Sequence, residues 1–218
     1  IEAMASYFIT QITAVQPKGP YYLCGFSMGG TIAYEMALQL NRQGQKVAFL
    51  AVLGTPAPGV PRTFSLKPLH YLDRFCRFCR ISVNDKKRYI KDRMDRRKKR
   101  LRKRQDDTIM AANVFNPAQF RQYKTMYKAG LCAAAAYRPT EHYSGSMVLF
   151  REIARPNPLY YDMYDDPEFG WGRYIDGPIT VYDIACEHPN IVHKPYVDQC
   201  AALLENEVLK TLGLSPLR

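Results

Sequence analysis

Residues 25–29 read Gly-Phe-Ser-Met-Gly, a G-x-S-x-G motif centred on Ser27. An almost wholly apolar run at 21–26 overlaps its start, and in residues 31–42, which follow it, apolar side chains recur every four positions. This pattern predicts a buried strand, a sharp turn and an amphipathic helix. Such a turn holds a serine hydroxyl clear of the backbone, and the N–H of Met28 at the helix start points to a developing oxyanion. The motif therefore predicts that Ser27 is a nucleophile.

A nucleophilic serine needs a base that takes its proton at neutral pH, and histidine is the usual one. Of the four histidines in the chain, His188 directly follows an apolar run at 179–184 that is typical of a strand. In enzymes that carry this serine motif, the base lies C-terminal to the serine, after the last strand. We therefore predict His188 as the base, with His193 as the alternative. His70 and His142 lie in or beside a different block of the chain.

The rest of the chain predicts a single α/β domain over residues 1–218. Helical spacing at 1–15 and 194–212 and strand-like runs at 21–26, 47–53, 146–150 and 179–184 favour a mostly parallel sheet flanked by helices. Residues 60–137 change to a helical, aromatic-rich and charged pattern, which indicates an insertion. Hydrophobic residues at 47% and charged residues at 23% are typical of a soluble globular protein. No apolar stretch approaches the roughly 20 residues of a membrane span.

The six cysteines are scattered along the chain and do not show the spacing of a disulfide framework. Cys76 and Cys79 form a CxxC motif, but no second Cys or His pair lies near it to complete four zinc ligands. We therefore expect no metal, and the reducing cytoplasm as the compartment.

All of the excess charge falls in one segment. Residues 86–104 hold 13 Lys and Arg against Asp92 and Asp95, and this local excess equals the net charge of +11 of the whole chain. A local patch of this kind does not make the protein basic as a whole. No interleaved aromatic residues or known nucleic-acid-binding motif accompany it, so the pattern disfavours nucleic-acid binding.

Together these motifs resemble the terminal thioesterase domains of nonribosomal peptide and polyketide synthases, which belong to the α/β-hydrolase superfamily. Type II thioesterases and the fatty acid synthase thioesterase are close relatives of that family. Trp171 ahead of the last predicted strand, and His188 seven residues before Pro195, also match its pattern. The resemblance spans nearly the whole chain outside 60–137. The motifs that carry it are Pro20-Tyr21-Tyr22-Leu23, Gly25-Phe26-Ser27-Met28-Gly29-Gly30, Ala33-Tyr34-Glu35-Met36-Ala37 and Thr55-Pro56-Ala57-Pro58-Gly59.

The resemblance implies an α/β-hydrolase fold with a helical lid insertion at about 60–137, and N-terminal strands that this sequence does not include. It also implies transfer of an acyl, peptidyl or polyketide chain from the phosphopantetheine thiol of a carrier protein, expected upstream in the same chain, onto Ser27. Release then occurs by water or by an internal nucleophile, without a cofactor of the domain's own. A type II editing thioesterase, an oxygen-ester hydrolase and a binding scaffold without turnover are the alternatives.

The same resemblance raises the question of the triad acid. Many members of the family place it at the end of the strand that follows the nucleophile helix, where this chain has Gly54. Relatives also use the end of the next strand, which makes Glu152 our candidate; the alternative for Glu152 is an exposed side chain paired with Arg151. A Ser–His dyad without an acid remains open. The other carboxylates to be considered are Asp162, Asp165, Asp166 and Asp183.

Two further expectations concern the insertion. If it is the lid, its aromatic residues are candidates to line an acyl channel; among these are Phe75, Phe115, Tyr123 and Tyr127. The alternative is that they only pack helix against helix. For the basic segment we expect docking of an acidic carrier protein, with a solvated helix face as the alternative, since opposite charges steer association. The residues that would carry this docking are Arg96, Arg97, Lys98 and Lys99.

Overall fold

The computed structural model describes residues 1–59, 117–153 and 166–215. Their helices and strands are α1 (Glu2–Val15), β1 (Tyr21–Phe26), α2 (Met28–Arg42), β2 (Val47–Leu53), α3 (Pro117–Ala136), β3 (Met147–Glu152), β4 (Ile179–Ile184) and α4 (Tyr196–Thr211), with short 3-10 helices at Trp171–Arg173 and His188–Asn190. The chain divides into two compact units, Ile1–Thr63 with Gly130–Arg218, and Phe64–Ala129. Of the second unit the structure describes residues 117–129, which are the first part of α3.

The described strands form one sheet in the order β1-β2-β3-β4, and every neighbouring pair is parallel. Parallel neighbours need crossover connections, and α2 supplies the one between β1 and β2. This confirms the predicted α/β fold with a mostly parallel sheet. β3 ends two residues later than its predicted run, so that Glu152 is the last residue of the strand.

Helices cover both faces of the sheet. On one face α2 packs against β1 and β2 and α1 packs against α2, burying Ala5, Ile9 and the apolar side of α2 with Leu23, Val52 and Leu149. On the other face, Cys200 of α4 joins a second buried cluster that includes Phe49, Ala51, Phe150 and Ile184. Successive strand residues point to opposite faces, which explains why neighbours such as Leu149 and Phe150 belong to different clusters.

The two central strands set the position of the site. All residues of β3 are buried except Arg151, and the last five of β2 are buried, as expected of strands covered on both faces. Because all four strands run the same way, their carboxyl ends meet at one edge of the sheet, where ligands bind in open α/β folds. Ser27, Gly54, Glu152 and His188 all follow or end a strand at this edge. No described helix is long and apolar enough to cross a membrane.

Candidate active site

Ser27 occupies a strained turn between β1 and α2. Its backbone has φ 54° and ψ −123°, a region that residues with a side chain rarely adopt. Strain of this kind costs about 1–3 kcal/mol and persists only where the surroundings hold it. Gly25 permits the turn, because a β-carbon there would collide with the backbone carbonyl of Gly29. The local sequence therefore produces the sharp turn that the motif predicted.

Two hydrogen bonds from β2 and its following turn hold the backbone of Ser27. The N–H of Ser27 donates to the carbonyl of Leu53 at 2.9 Å, and the hydroxyl of Thr55 donates to the carbonyl of Ser27 at 2.9 Å. The carbonyl of Thr55 in turn accepts the indole N–H of the fully buried Trp171 at 2.7 Å. Thr55 and Trp171 are among the residues that carry the family resemblance, but the sequence did not indicate that they support the turn.

The imidazole of His188 lies between the hydroxyl of Ser27 and the carboxyl group of Glu152. Its Nε2 is 3.1 Å from Ser27 Oγ, and its Nδ1 is 3.0 Å from Glu152 Oε1. With the proton on Nδ1, that N–H donates to the carboxylate, and Nε2 accepts the Ser27 hydroxyl proton. This is the hydrogen-bonded order of a serine, a base and an orienting acid.

Glu152 is almost fully buried, with 3% of its side chain exposed. Its neighbour Arg151 points to the other side of β3, because successive strand residues alternate. There the Nε and Nη2 groups of Arg151 donate to the carboxylate of Asp183, at 2.7 and 2.9 Å. The alternative in which Glu152 is exposed and pairs with Arg151 is therefore wrong. Glu152 Oε2 is buried and has no hydrogen-bond partner among the described residues.

Gly54 lies directly beside this pair. Its φ of 55° is in the left-handed region, which favours glycine. A β-carbon at this position would stand 2.9 Å from His188 Nδ1 and 2.9 Å from Glu152 Oε2. The two positions considered for the acid from the sequence, 54 and 152, thus converge on the same side of the imidazole, and in this chain Glu152 occupies that space.

Known proteins similar to this chain identify its family. Residues 1–206 match the family model for the thioesterase domain. The chain belongs to the thioesterase domain family. Two curated relatives are a dimodular nonribosomal peptide synthase of Bacillus subtilis, 26% identical over 216 residues, and a non-reducing polyketide synthase of Pseudevernia furfuracea, 41% identical over 73 residues. This thioesterase domain aligns over 94% and 34% of its own length but covers only 8% and 4% of those much longer proteins.

Solved structures share its fold. A four-domain nonribosomal peptide synthetase bound to AMP and glycine has a TM-score of 0.63 at 22% identity, over 94% of this chain and 16% of that one. The RedJ thioesterase of the prodiginine pathway of Streptomyces coelicolor has a TM-score of 0.59 at 20% identity, over 93% of this chain and 69% of that one. At these identities the likeness establishes the fold of the thioesterase domain.

The other carboxylates and histidines considered from the sequence have different partners or positions. Asp183 pairs with Arg151, and Asp166 accepts hydrogen bonds from the N–H groups of Glu168 and Gly170. His142 Nδ1 is 3.0 Å from Asp176, and the side chain of His193 is exposed. His70, Asp162 and Asp165 lie outside the described residues. Of the carboxylates considered from the sequence, Glu152 is the one that the structure brings to the His188 imidazole, opposite the Ser27 hydroxyl.

The predicted channel and docking residues of the thioesterase domain lie mostly outside the described part. Phe75, Phe115 and the four basic residues Arg96, Arg97, Lys98 and Lys99 belong to residues 60–116, as do Cys76 and Cys79. Tyr123 and Tyr127 both lie on α3, and Tyr127 is 56% exposed. The described residues contain no group of three or more His, Cys, Asp or Glu side chains arranged to hold a metal.

Two more side chains near the site were not singled out by the sequence. The ring of Phe26 stacks on the imidazole of His188, with centroids 5.0 Å apart and planes at 27°. Burial, together with the nearby Glu152 carboxylate and Cys200, raises the pKa of the Cys186 thiol to about 11. The Cys186 thiol therefore stays protonated at neutral pH.

Proposed function

We propose that this domain is a serine thioesterase that takes an acyl, peptidyl or polyketide chain from the phosphopantetheine thiol of a carrier protein and releases it. The observation that carries the proposal is the continuous hydrogen-bonded order of Ser27, His188 and Glu152 at the carboxyl edge of the sheet. Membership of the thioesterase family, and relatives that are nonribosomal peptide and polyketide synthases, support the carrier-linked substrate.

Acylation begins when Ser27 Oγ attacks the thioester carbonyl carbon while His188 Nε2 accepts the hydroxyl proton. The C–S bond then breaks, and the imidazolium returns this proton to the departing phosphopantetheine sulfur. The product is an ester between the chain and Ser27. Glu152 accepts a hydrogen bond from the Nδ1–H group, which keeps the proton of the neutral imidazole on Nδ1 and leaves Nε2 free to accept the Ser27 proton. Its negative charge stabilises the imidazolium. Its burial keeps that carboxylate out of contact with water.

The oxyanion needs hydrogen-bond donors placed before the reaction starts. Met28 begins α2 directly after Ser27, and the first N–H groups of a helix have no acceptor within the helix. The positive end of the α2 dipole also favours negative charge at this point. We therefore assign the Met28 N–H as one oxyanion donor.

Deacylation repeats the steps with a different nucleophile. His188 accepts a proton from water, or from a hydroxyl or amine of the bound chain, and the attack breaks the ester to Ser27. Water yields a free acid, a hydroxyl yields a lactone and an amine yields a lactam. An editing thioesterase uses the water route on short or wrong chains, so the product and the accepted chain separate these roles.

The test uses a fluorophosphonate probe, which phosphonylates an activated serine, with mass spectrometry to locate the modified residue. We expect labelling at Ser27 in the full chain, no labelling of Ser27→Ala, and strongly reduced labelling of His188→Ala. Ser6→Ala, which changes an exposed serine on α1, is the matched control and keeps the labelling. An unlabelled Ser27 in folded wild-type protein would support a scaffold without turnover and reject the proposed enzyme.

We also propose that residues 60–137 form the lid and that the carrier protein precedes this domain in the same chain. The motivation is the family resemblance and the concentration of the excess charge in 86–104. Reversing the charge of Arg96, Arg97, Lys98 and Lys99 should raise the KM for a carrier-bound substrate and leave the KM for a small free thioester unchanged. Equal effects on both substrates would reject carrier docking by this segment.

A further inference from the structure

The residue before the nucleophile contacts the base. Phe26 ends β1 immediately before Ser27, and its ring lies over the ring of His188, 5.0 Å between centroids. We propose that Phe26 is a positioning residue that holds the imidazole in the plane in which both of its hydrogen bonds form. This inference rests on the proposed function, because it concerns the base that activates Ser27.

The need for such a contact follows from the geometry of the two hydrogen bonds. The bonds to Ser27 and Glu152 leave the imidazole through Nε2 and Nδ1, both of which point within the plane of the ring. They hold the two nitrogens along the line that joins them, but resist less strongly a rocking of the ring that lifts one nitrogen above its present plane and lowers the other below it. Rocking turns the Nε2 lone pair away from the Ser27 hydroxyl, and a hydrogen bond weakens steeply as it bends.

Among the described residues, Phe26 restrains this rocking from one face of the imidazole. The flat ring of Phe26 lies over that face, at an interplanar angle of 27°. Gly54 has no side chain at the Nδ1–Cε1 edge, where a β-carbon would stand 2.9 Å from Nδ1 and 3.1 Å from Cε1. A third of the His188 side chain (34%) remains exposed to solvent, so these few contacts have to fix a ring that is not enclosed.

An aromatic face also suits the charge that the base acquires. When His188 takes the Ser27 proton it becomes a cation, and a cation over an aromatic ring is attracted by the negative charge of the ring face. The stack therefore favours the protonated base that forms during attack. A leucine at position 26 would fill the same apolar cluster on this face of the sheet but would offer neither the flat surface nor this attraction.

The kinetic test compares four variants by the rate at which the fluorophosphonate inactivates the full chain. In Phe26→Leu we expect the rate at saturating probe to fall about tenfold, the size of an aromatic-pair contribution, with an unchanged half-saturating concentration. Phe26→Met, a second non-aromatic variant, should behave alike. Phe26→Tyr keeps the ring and should retain the wild-type rate. Tyr22→Leu makes the same change four residues earlier on the same face of β1, where Tyr22 stacks on Phe49, and should have no effect.

A spectroscopic measurement tests the stack without activity. Protons of the His188 ring that lie over Phe26 experience its ring current, so their NMR signals are shifted upfield. In protein labelled at histidine, Phe26→Leu should remove this shift, while His142, which contacts Tyr174 instead, should not move. The missing signal in His188→Ala assigns the resonance.

Each outcome decides a separate question. Wild-type labelling in folded Phe26→Leu, or an equal loss in Phe26→Tyr or Tyr22→Leu, overturns the positioning role, even if the NMR shift confirms the contact. An unshifted His188 signal in wild-type protein overturns the stack itself. If wild-type Ser27 is not labelled, the proposed function fails, and the NMR result still decides whether Phe26 stacks on His188.

Discussion

Gly54 leaves the space that Glu152 fills. A β-carbon at position 54 would stand 2.9 Å from Glu152 Oε2, and Glu152 Oε1 is 3.0 Å from His188 Nδ1. An aspartate at the end of β2 and a glutamate at the end of β3 therefore compete for one place beside the imidazole. The glycine is the condition that lets the longer side chain of Glu152 reach the base from the neighbouring strand.

A carboxylate at position 54 should be able to replace that of Glu152 only when Glu152 itself is removed. Gly54→Asp alone places a second carboxylate against Glu152 and a side chain on a backbone with φ 55°, so we expect lower stability and activity. Glu152→Ala removes the competing group, and Gly54→Asp in that background should recover part of the lost turnover. Thioester hydrolysis and thermal unfolding of both single variants and the double variant measure this. A double variant no better than Glu152→Ala alone would show that position 54 does not reach the base.

Removing the charge of Glu152 should lower turnover and leave binding intact. Glu152→Gln keeps the size of the side chain but loses the negative charge that stabilises the imidazolium, and loss of a triad acid reduces kcat by up to about 10⁴-fold. We expect a large fall in kcat with a small change in KM. Asp183→Asn, which alters the carboxylate paired with Arg151, is the matched control and should keep most of the activity. Equal kcat in Glu152→Gln and wild type would indicate a dyad.

Thr55 should support the turn that carries Ser27. Its hydroxyl lies 2.9 Å from the carbonyl of Ser27 and 3.0 Å from that of Leu53. Thr55→Val keeps the shape but removes the donor, and we expect a loss of about 1–3 kcal/mol in the free energy of unfolding with slower labelling of Ser27. Thr55→Ser should retain both properties. Denaturant unfolding and labelling rates check this, with Thr13→Val on α1 as control; an unchanged labelling rate in Thr55→Val would remove Thr55 from the support of the turn.

Tyr137 should make the fold less stable at alkaline pH. It follows α3 and donates its hydroxyl hydrogen to the buried carboxylate of Glu35 on α2. Burial, and next the hydrogen bond to Glu35, raise the pKa of Tyr137 far above its ordinary value. The unfolded chain therefore loses this proton first, as the pH rises through about 10, and the free energy of unfolding falls with increasing pH.

Tyr137→Phe separates the two effects. At neutral pH it leaves Glu35 without this donor, and we expect a loss of about 1–3 kcal/mol in the free energy of unfolding. Above pH ~9 its stability should decline less steeply than that of wild type, because one proton fewer is released on unfolding. Urea unfolding from pH 7 to 11 measures both, and Tyr7→Phe on the exposed side of α1 is the control. An identical slope in Tyr137→Phe and wild type would contradict the coupling.

The sequence alone was enough for the elements whose signals are local. The G-x-S-x-G motif, the apolar run before it and the four-residue spacing after it indicate a strand, a turn and a helix, because each depends on residues next to one another in the chain. The predicted parallel sheet was confirmed as well. The order strand, helix, strand at 21–53 can be recognised from neighbouring residues, and two strands joined by a crossover helix pair in parallel. His188 was predicted as the base from its place after the last strand-like run, and the structure brings its imidazole to Ser27.

Only the tertiary structure decided which carboxylate meets the imidazole. Glu152 was one of several candidates in sequence, and its position depends on where β3 ends, on the alternation that turns Arg151 towards Asp183, and on the space beside Gly54. The contact of Phe26 with His188 joins residues 162 positions apart in the numbering of the chain, and that of Thr55 with Ser27 joins residues 28 positions apart. Such contacts arise from the packing of distant strands and loops, and the spacing of residues along the chain carries no record of them.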